Sequence, residues 1–194
     1  MKNLQVRIKT DLTTEPVSLA EAKNFCKVTG SQDESLITIL ITSARQALEK
    51  YTQSSFAAKT IHATWVTPPE DDEYELPYGP HIAVSKVYRI DEEGTETELT
   101  LNIDYWVFGD QDFVLKINRS WSSNKHLNSV RVEYTAGYGD TNTETLPSVL
   151  KEAIMKEVAT NYELRENFVV GAGVSELSND AKRKAAPYRK MIWF

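Results

Sequence analysis

Histidines, one cysteine and two dense acidic clusters are the residues of this 194-residue chain whose types could do chemistry. His62, His81 and His126 show no paired spacing, and the chain holds neither H-x-x-x-H nor C-x-x-C. A tetrahedral zinc site needs three or four such ligands, so no metal is expected. Cys26 lies on the apolar side of a short predicted helix. There it reads as a small core residue, not a nucleophile. No G-x-S-x-G elbow is present. Gly137-Tyr138-Gly139 stands between a strand and a helix but lacks the third glycine of a dinucleotide loop and the Gly-Lys-Ser/Thr of a P-loop. It predicts a turn that uses the positive φ open to glycine. The acidic clusters at 70–75 and 91–98 lack the spaced ligands and central glycine of a calcium loop. They read as solvated hairpin ends. Glu70, Asp71, Asp72 and Glu73 are also candidates for the lining of a channel through which DNA passes, because like charge keeps DNA from sticking. No acid, base, nucleophile or metal set converges, so catalytic residues, cofactors and enzyme activity are not expected.

The elements that must hold these residues change character along the chain. Ser18-Leu19-Ala20-Glu21 is a capping box, opening a short helix over 19–27. Gly30-Ser31 breaks it. Leu36, Ile37, Leu40, Ile41, Ala44, Leu48 and Tyr51 then recur at helical spacing and predict a helix over 33–51, with Asp33 as its cap. Thr38, Thr42, Arg45 and Glu49 fall mainly on its other face. From residue 60 the pattern turns β-branched and aromatic. Strands are predicted at 60–67, 82–90, 96–101, 105–108, 112–117 and 129–135, arranged as an antiparallel meander closed into a small sandwich or barrel. A helix begins near Leu146-Pro147, with proline in its first turn and Val149, Leu150, Ala153, Ile154, Val158 and Tyr162 as its stripe. A last helix is predicted over 179–186.

Neither amphipathic stripe can stay wet, so the two ends must meet. The expected fold is α+β: a small α-helical bundle built from both chain ends (1–56 and 146–194), with an inserted antiparallel β subdomain (57–145). Charge supports that division. Residues 57–145 hold sixteen acidic and seven basic residues, whereas the last thirteen hold five basic residues and no acid. The net charge of −6 argues against a general nucleic-acid binder. The lone cysteine rules out an internal disulfide, and no apolar run is long enough for a membrane span or a signal peptide.

Three surfaces remain as candidates. Met191-Ile192-Trp193-Phe194 places four apolar residues beside the cations Arg189 and Lys190. Stacking on nucleic acid, covering of the chain's own core and insertion into a partner's hydrophobic groove are all readings of it. Insertion, anchored by Trp193 or Phe194, is favoured. The loop 167–176 sets Phe168, Val169 and Val170 beside Gly171 and Gly173, and is a candidate segment that orders on assembly. Tyr74, Tyr78, Trp106 and Trp121 offer an alternative, a sugar-binding aromatic platform, although core packing is the commoner fate of such residues.

Several segments together resemble the head–tail connector (adaptor) family of tailed bacteriophages and gene-transfer agents. They are Glu15-Pro16-Val17-Ser18-Leu19-Ala20-Glu21-Ala22-Lys23; Asp33-Glu34-Ser35-Leu36-Ile37 through Ala44-Arg45 to Glu49-Lys50-Tyr51-Thr52; Val130-Arg131-Val132-Glu133-Tyr134-Thr135-Ala136-Gly137-Tyr138-Gly139-Asp140; Leu146-Pro147 with Leu150-Lys151, Ala153-Ile154, Tyr162-Glu163 and Arg165-Glu166; and Ala186-Pro187-Tyr188-Arg189. The resemblance implies a structural virion protein at the neck, present in the host cytoplasm during assembly. It implies a homo-oligomeric ring, typically of twelve, that binds below the portal protein and extends the DNA channel toward a stopper or tail-terminator protein. Genomic DNA would pass without sequence-specific binding, and no membrane is involved. Portal docking by the C-terminal segment is implied too; together with the apolar tail beyond Arg189, this singles out Tyr188, Arg189, Ile192, Trp193 and Phe194. Another neck, tail-completion or baseplate module with a partner- or glycan-binding β domain is the alternative.

Overall fold

The computed structural model describes residues 4–11, 14–91, 93–118, 127–139, 145–164 and 177–190. These fall into two compact units: a helical unit of residues 14–57 with 145–190, and a β unit of residues 4–11 with 58–139. The mixed α+β fold, with a helical bundle drawn from both ends of the chain, is as the sequence implies.

In the helical unit, α1 (Leu19–Phe25) begins at the predicted capping box. The Ser18 hydroxyl accepts from the Glu21 N–H at 3.3 Å, and the Glu21 carboxylate accepts from the Ser18 N–H at 2.9 Å. α2 (Glu34–Thr52), α3 (Ser148–Glu163) and α4 (Asn179–Ala185) follow, and a single 3-10 turn, Ala186–Tyr188, extends α4. Ile37, Ile41, Ala44 and Leu48 of α2 share one buried cluster with Leu150, Ala153, Ile154 and Val158 of α3 and with Ala181 and Ala185 of α4. The small alanines let α4 lie close. Asp33 does not cap α2 with its side chain. Its carboxylate instead accepts from the Tyr162 hydroxyl at 2.5 Å, tying the start of α2 to the end of α3. Pro147 takes the N-cap position of α3, one place earlier than predicted.

Arg45 and Glu49 depart from the amphipathic pattern. Both are buried, at 2% and 6% exposure. The Arg45 guanidinium donates to Glu15 and Glu49, each at 2.8 Å, and the second Glu49 oxygen accepts from the Phe56 N–H at 2.6 Å. A buried cation survives only when its donors are matched in this way. The network joins the stretch before α1, the body of α2 and the chain leaving it.

The β unit holds β1 (Leu4–Thr10), β2 (Lys59–Trp65), β3 (Glu73–Glu75), β4 (His81–Asp91), β5 (Glu96–Glu98), β6 (Tyr105–Phe108), β7 (Val114–Ile117) and β8 (Leu127–Ala136). They form a five-stranded sheet ordered β1-β2-β8-β4-β5 and a three-stranded sheet ordered β3-β7-β6. Both sheets contribute to one core that includes Trp65, Tyr74, Val87, Leu115, Val132 and Tyr134. The arrangement is a two-sheet sandwich and not a meander. β8, the last strand in sequence, lies at the centre between β2 and β4. Its alternation explains the position: Val130, Val132, Tyr134 and Ala136 are buried in the core, while Arg131 and Glu133, the latter also buried, project from the other face. The Tyr134 hydroxyl donates to the Pro77 carbonyl at 2.7 Å, and burial pushes its pKa well up.

Two expectations need correcting here. Residues 4–10 were expected in the helical core but pair with β2, from Leu4 opposite Trp65 to Thr10 opposite Thr60. The acidic stretch 70–75 is not all loop, since its last three residues are β3, paired with β7.

Two predictions test this packing. Ile154→Ala should destabilise the protein by about 2–5 kcal/mol, the usual cost of emptying a packed apolar site, whereas Ile39→Ala should stay within about 0.5 kcal/mol. Ile154 is 0% exposed and Ile39 is 65% exposed, and denaturant melts followed by circular dichroism check both. The second concerns acid. Hydrogen bonds from Lys151, then from the Ser18 N–H and hydroxyl, lower the Glu21 pKa from 4.5 to about 2. A depressed carboxylate contributes stability above its unfolded pKa and loses it as pH falls through the folded one. The Glu21 side chain is 43% exposed, so solvent screening trims that contribution to below about 1 kcal/mol. Glu21→Gln should therefore flatten the fall in melting temperature between pH 4.5 and about 2 relative to the parent protein.

Candidate functional site

Of the docking candidates, Tyr188 and Arg189 lie within the described residues; Ile192, Trp193 and Phe194 lie outside them, as do Phe168, Val169 and Val170. The segment leading to the docking residues is built by α4. The Ser178 hydroxyl caps this helix by accepting from the Ala181 N–H at 3.3 Å. Buried Glu157 of α3 accepts from the Ser178 N–H at 2.8 Å, which fixes where α4 starts. Lys156 to Asp180 at 2.6 Å and Lys184 to Glu152 at 2.9 Å hold α4 along α3. Beyond the 3-10 turn, the Lys190 N–H donates to the Thr52 carbonyl at 2.9 Å, closing the segment onto the end of α2.

This anchoring divides the two described candidates. Tyr188 is half-buried and packs against the chain's own helical cluster. Arg189 is exposed, with its guanidinium 5.5 Å from the centre of the Tyr51 ring. Arg183 of α4 is also exposed and pairs with Asp180 at 3.0 Å. The segment is thus a rigid stalk up to Lys190, and removing it from residue 188 would also strip contacts from the helical unit.

The acidic candidates are in the β unit. Glu70, Asp71 and Glu73 are exposed and Asp72 is half-buried. Asp71 accepts from the Glu73 N–H at 3.2 Å, and Asp72 turns the chain with φ +59°. Glu73 pairs with Lys116 at 2.9 Å, so the cluster is partly neutralised from β7. Tyr74, between these acids, faces inward at 1% exposure and meets Trp65 edge-on at 5.3 Å. Tyr78 packs partly on the same core, Trp106 is half-buried, and Trp121 lies outside the described residues. The aromatic platform therefore loses Tyr74 to the core. The acidic run around this residue hid a strand whose middle side chain is the buried one.

The histidines and cysteine also have structural surroundings. His81 is buried; its Nδ1 accepts from the Phe113 N–H at 3.0 Å, and Nε2 lies 3.1 Å from the Pro77 carbonyl. Burial pushes the His62 pKa down, although Glu133 lies 3.2 Å away. Burial likewise pushes the Cys26 thiol up, the opposite of what a nucleophile needs. Among the described residues, no group of three His, Cys, Asp or Glu side chains is arranged to hold a metal ion.

A charged face on the five-stranded sheet was not singled out in the sequence. Glu133 of β8 accepts from Lys9 of β1 at 3.3 Å. Two residues earlier, Arg131 is held by Glu96 of β5 through two hydrogen bonds and stacks over Tyr88 at 4.6 Å. The alternation Val130-Arg131-Val132-Glu133-Tyr134 carried the signal, because its charged positions must share the face opposite the core.

The fold and these surfaces define a mixed α+β protein whose helical unit is assembled from two separated stretches. Residues 16–105 match the model of the family described as phage gp6-like head-tail connector protein. Among solved structures, a chain in the neck of an empty gene transfer agent (GTA) particle computed with C6 symmetry is 17% identical, with a TM-score of 0.75 over 98% of this chain and 97% of that one. A chain in the virion of a native GTA particle is 18% identical, with a TM-score of 0.75 over 97% of each chain. A chain in the neck of a native GTA particle computed with C12 symmetry is 17% identical, with a TM-score of 0.73 over 98% of this chain and 97% of that one. No curated protein sequence matches. The chain resembles the phage head–tail connector family in sequence pattern over residues 16–105, and shares its fold over nearly its whole length with chains of GTA particles.

The stalk geometry sets an expected outcome. Tyr188→Ala should cost about 1–2 kcal/mol through lost half-buried packing, while Arg189→Ala should cost less than about 1 kcal/mol, the scale of an exposed cation–π contact. Chemical denaturation of the two variants checks this ranking.

Proposed function

We propose that this chain is a structural head–tail connector: a subunit of a ring in the neck of a tailed particle, bound below the portal protein and leading the DNA channel toward a stopper or tail-terminator protein. The observation that carries the reading is the join of its two ends. α1 and α2 lie in the stretch with the connector-family pattern, and α3 and α4 complete the same bundle from the far end of the chain. In this reading the bundle is the fixed base and the cationic segment beyond α4 is what it presents to the portal.

The contact works by division of labour. Tyr188 and Lys190 seat the stalk on its own bundle, Arg189 meets an acidic or carbonyl-rich portal surface, and Ile192, Trp193 and Phe194 supply the apolar anchor. Anchors of this type dominate binding when they enter a closed pocket. Exposed acids at Glu70, Asp71 and Glu73 fit a channel-facing or solvent-facing edge that repels DNA. The overall charge of −6 suits a conduit better than a reader of DNA sequence.

Removing residues 191–194 tests the docking. The truncated protein should keep the parent melting temperature, because the bond from Lys190 to Thr52 is retained, and should fail to capture the portal protein in a pull-down. Undiminished capture would remove the C-terminal anchor from the proposal.

A further inference from the structure

We propose that neighbouring copies in the ring meet through the two opposite edges of the five-stranded sheet, the β1 edge of one copy seating against the β5 edge and following turn of the next. The inference rests on the ring reading above and adds the surface that closes it.

The strand order leaves β1 and β5 as the two edges. Their charges are opposite. β1, Leu-Gln-Val-Arg-Ile-Lys-Thr, carries Arg7 and Lys9 and no acid. The β4–β5 hairpin carries Asp91, Glu93, Glu96 and Glu98. Lys86 and Arg131 answer Glu98 and Glu96, but among the described residues Glu93 and Arg7 have no ion-pair partner. The register puts Arg7 of one edge and Glu98 of the other on one face of the sheet, and Glu93 stands in the turn that joins β4 to β5. Arg7 stands opposite His62, His62 opposite Glu133, Arg131 opposite Tyr88, and Tyr88 opposite Glu98. Side chains at directly paired positions share a face.

Each edge also exposes apolar side chains. Val6 and Ile8 stand opposite Ala63 and Ile61, which are 0% and 1% exposed, yet they remain 38% and 51% exposed themselves. By register they belong to the core face, yet among the described residues they are only partly covered. In the turn that follows β5, Leu101 and Ile103 are 49% and 65% exposed. They sit in a turn fixed by the Thr100 N–H to the Asp104 carboxylate at 2.8 Å and by the Asn102 N–H to the Tyr105 carbonyl at 2.8 Å. Cations alone would only blunt an edge against strand addition. Branched apolar residues beside them are what a buried contact needs. A closed ring requires two different complementary patches on each copy, and an apolar-basic edge facing an apolar-acidic edge meets that requirement. Opposite charge then sets which edge meets which. β5 is three residues long, so the contact runs through side chains and not through an extended ladder.

The test uses the full chain supplied to particles that lack their own copy, with copies per neck counted by quantitative mass spectrometry. Arg7→Glu and Glu93→Arg are chosen because neither residue holds an ion pair among the described residues. Each alone should lower incorporation on the order of tenfold at an unchanged melting temperature, the effect of roughly 1.4 kcal/mol per contact. The double variant R7E/E93R, and an equal mixture of the two singles, should restore it, because each then pairs a positive edge with a negative one. Parental incorporation by both single variants, or failure of the double variant to recover although folded, overturns the interface while the neck reading stands. Absence of the parent protein from necks overturns both.

Discussion

The apolar stripe of α2 is the constraint on which the rest of this molecule depends. Ile37, Ile41, Ala44 and Leu48 need a dry neighbour, and most of their cover is supplied by α3 and α4, roughly a hundred or more residues further along. Burial of the leucine and isoleucines among them stabilises by about 1.5–3 kcal/mol each, enough to set the topology. The chain must leave the bundle after Phe56 and return by Leu146. What lies between is free to form a second core of its own. Polar links confirm the return: Lys151 to Glu21 and Tyr162 to Asp33 each join α3 to the early stretch.

Within that bundle, Arg45 works against simple amphipathicity. Burying its guanidinium is costly unless the donors are satisfied, and Glu15 and Glu49 supply the acceptors. Its value lies in positioning more than in net stability. One side chain fixes the approach to α1, and through Glu49 it fixes the exit at Phe56. A purely apolar substitute would fill the space without specifying where those two chain segments run.

Local signals and the need of the two amphipathic stripes for each other are readable in the sequence, whereas strand pairing is not. The capping box at Ser18 and Glu21 depends on residues three apart, and the structure forms it as read. The α2 and α3 stripes repeat over several turns and were equally plain. β1 is too weak a signal to read alone, although Leu4, Val6 and Ile8 alternate with Gln5, Arg7 and Lys9. Its strand character depends on β2, more than fifty residues away, and most of its side chains remain exposed. The central place of β8 was illegible for the same reason, because strand order is set by pairing across the whole unit. Tyr74 follows the commoner fate named for such aromatics, since period-2 alternation within three residues puts it in the core between exposed acids. Of the docking candidates, residue type alone could not separate Tyr188, which packs at home, from Arg189, which faces solvent.

Electron cryo-microscopy of the neck of a tailed particle that carries this chain tests the central claim most directly. The account predicts a closed ring below the portal, in which each repeating density accommodates α2 and α3 packed together and a two-sheet sandwich built from the intervening stretch. A complete, well-resolved neck whose density is fully explained by other proteins, or a density in which the α2 and α3 segments lie in separate lobes, would contradict it.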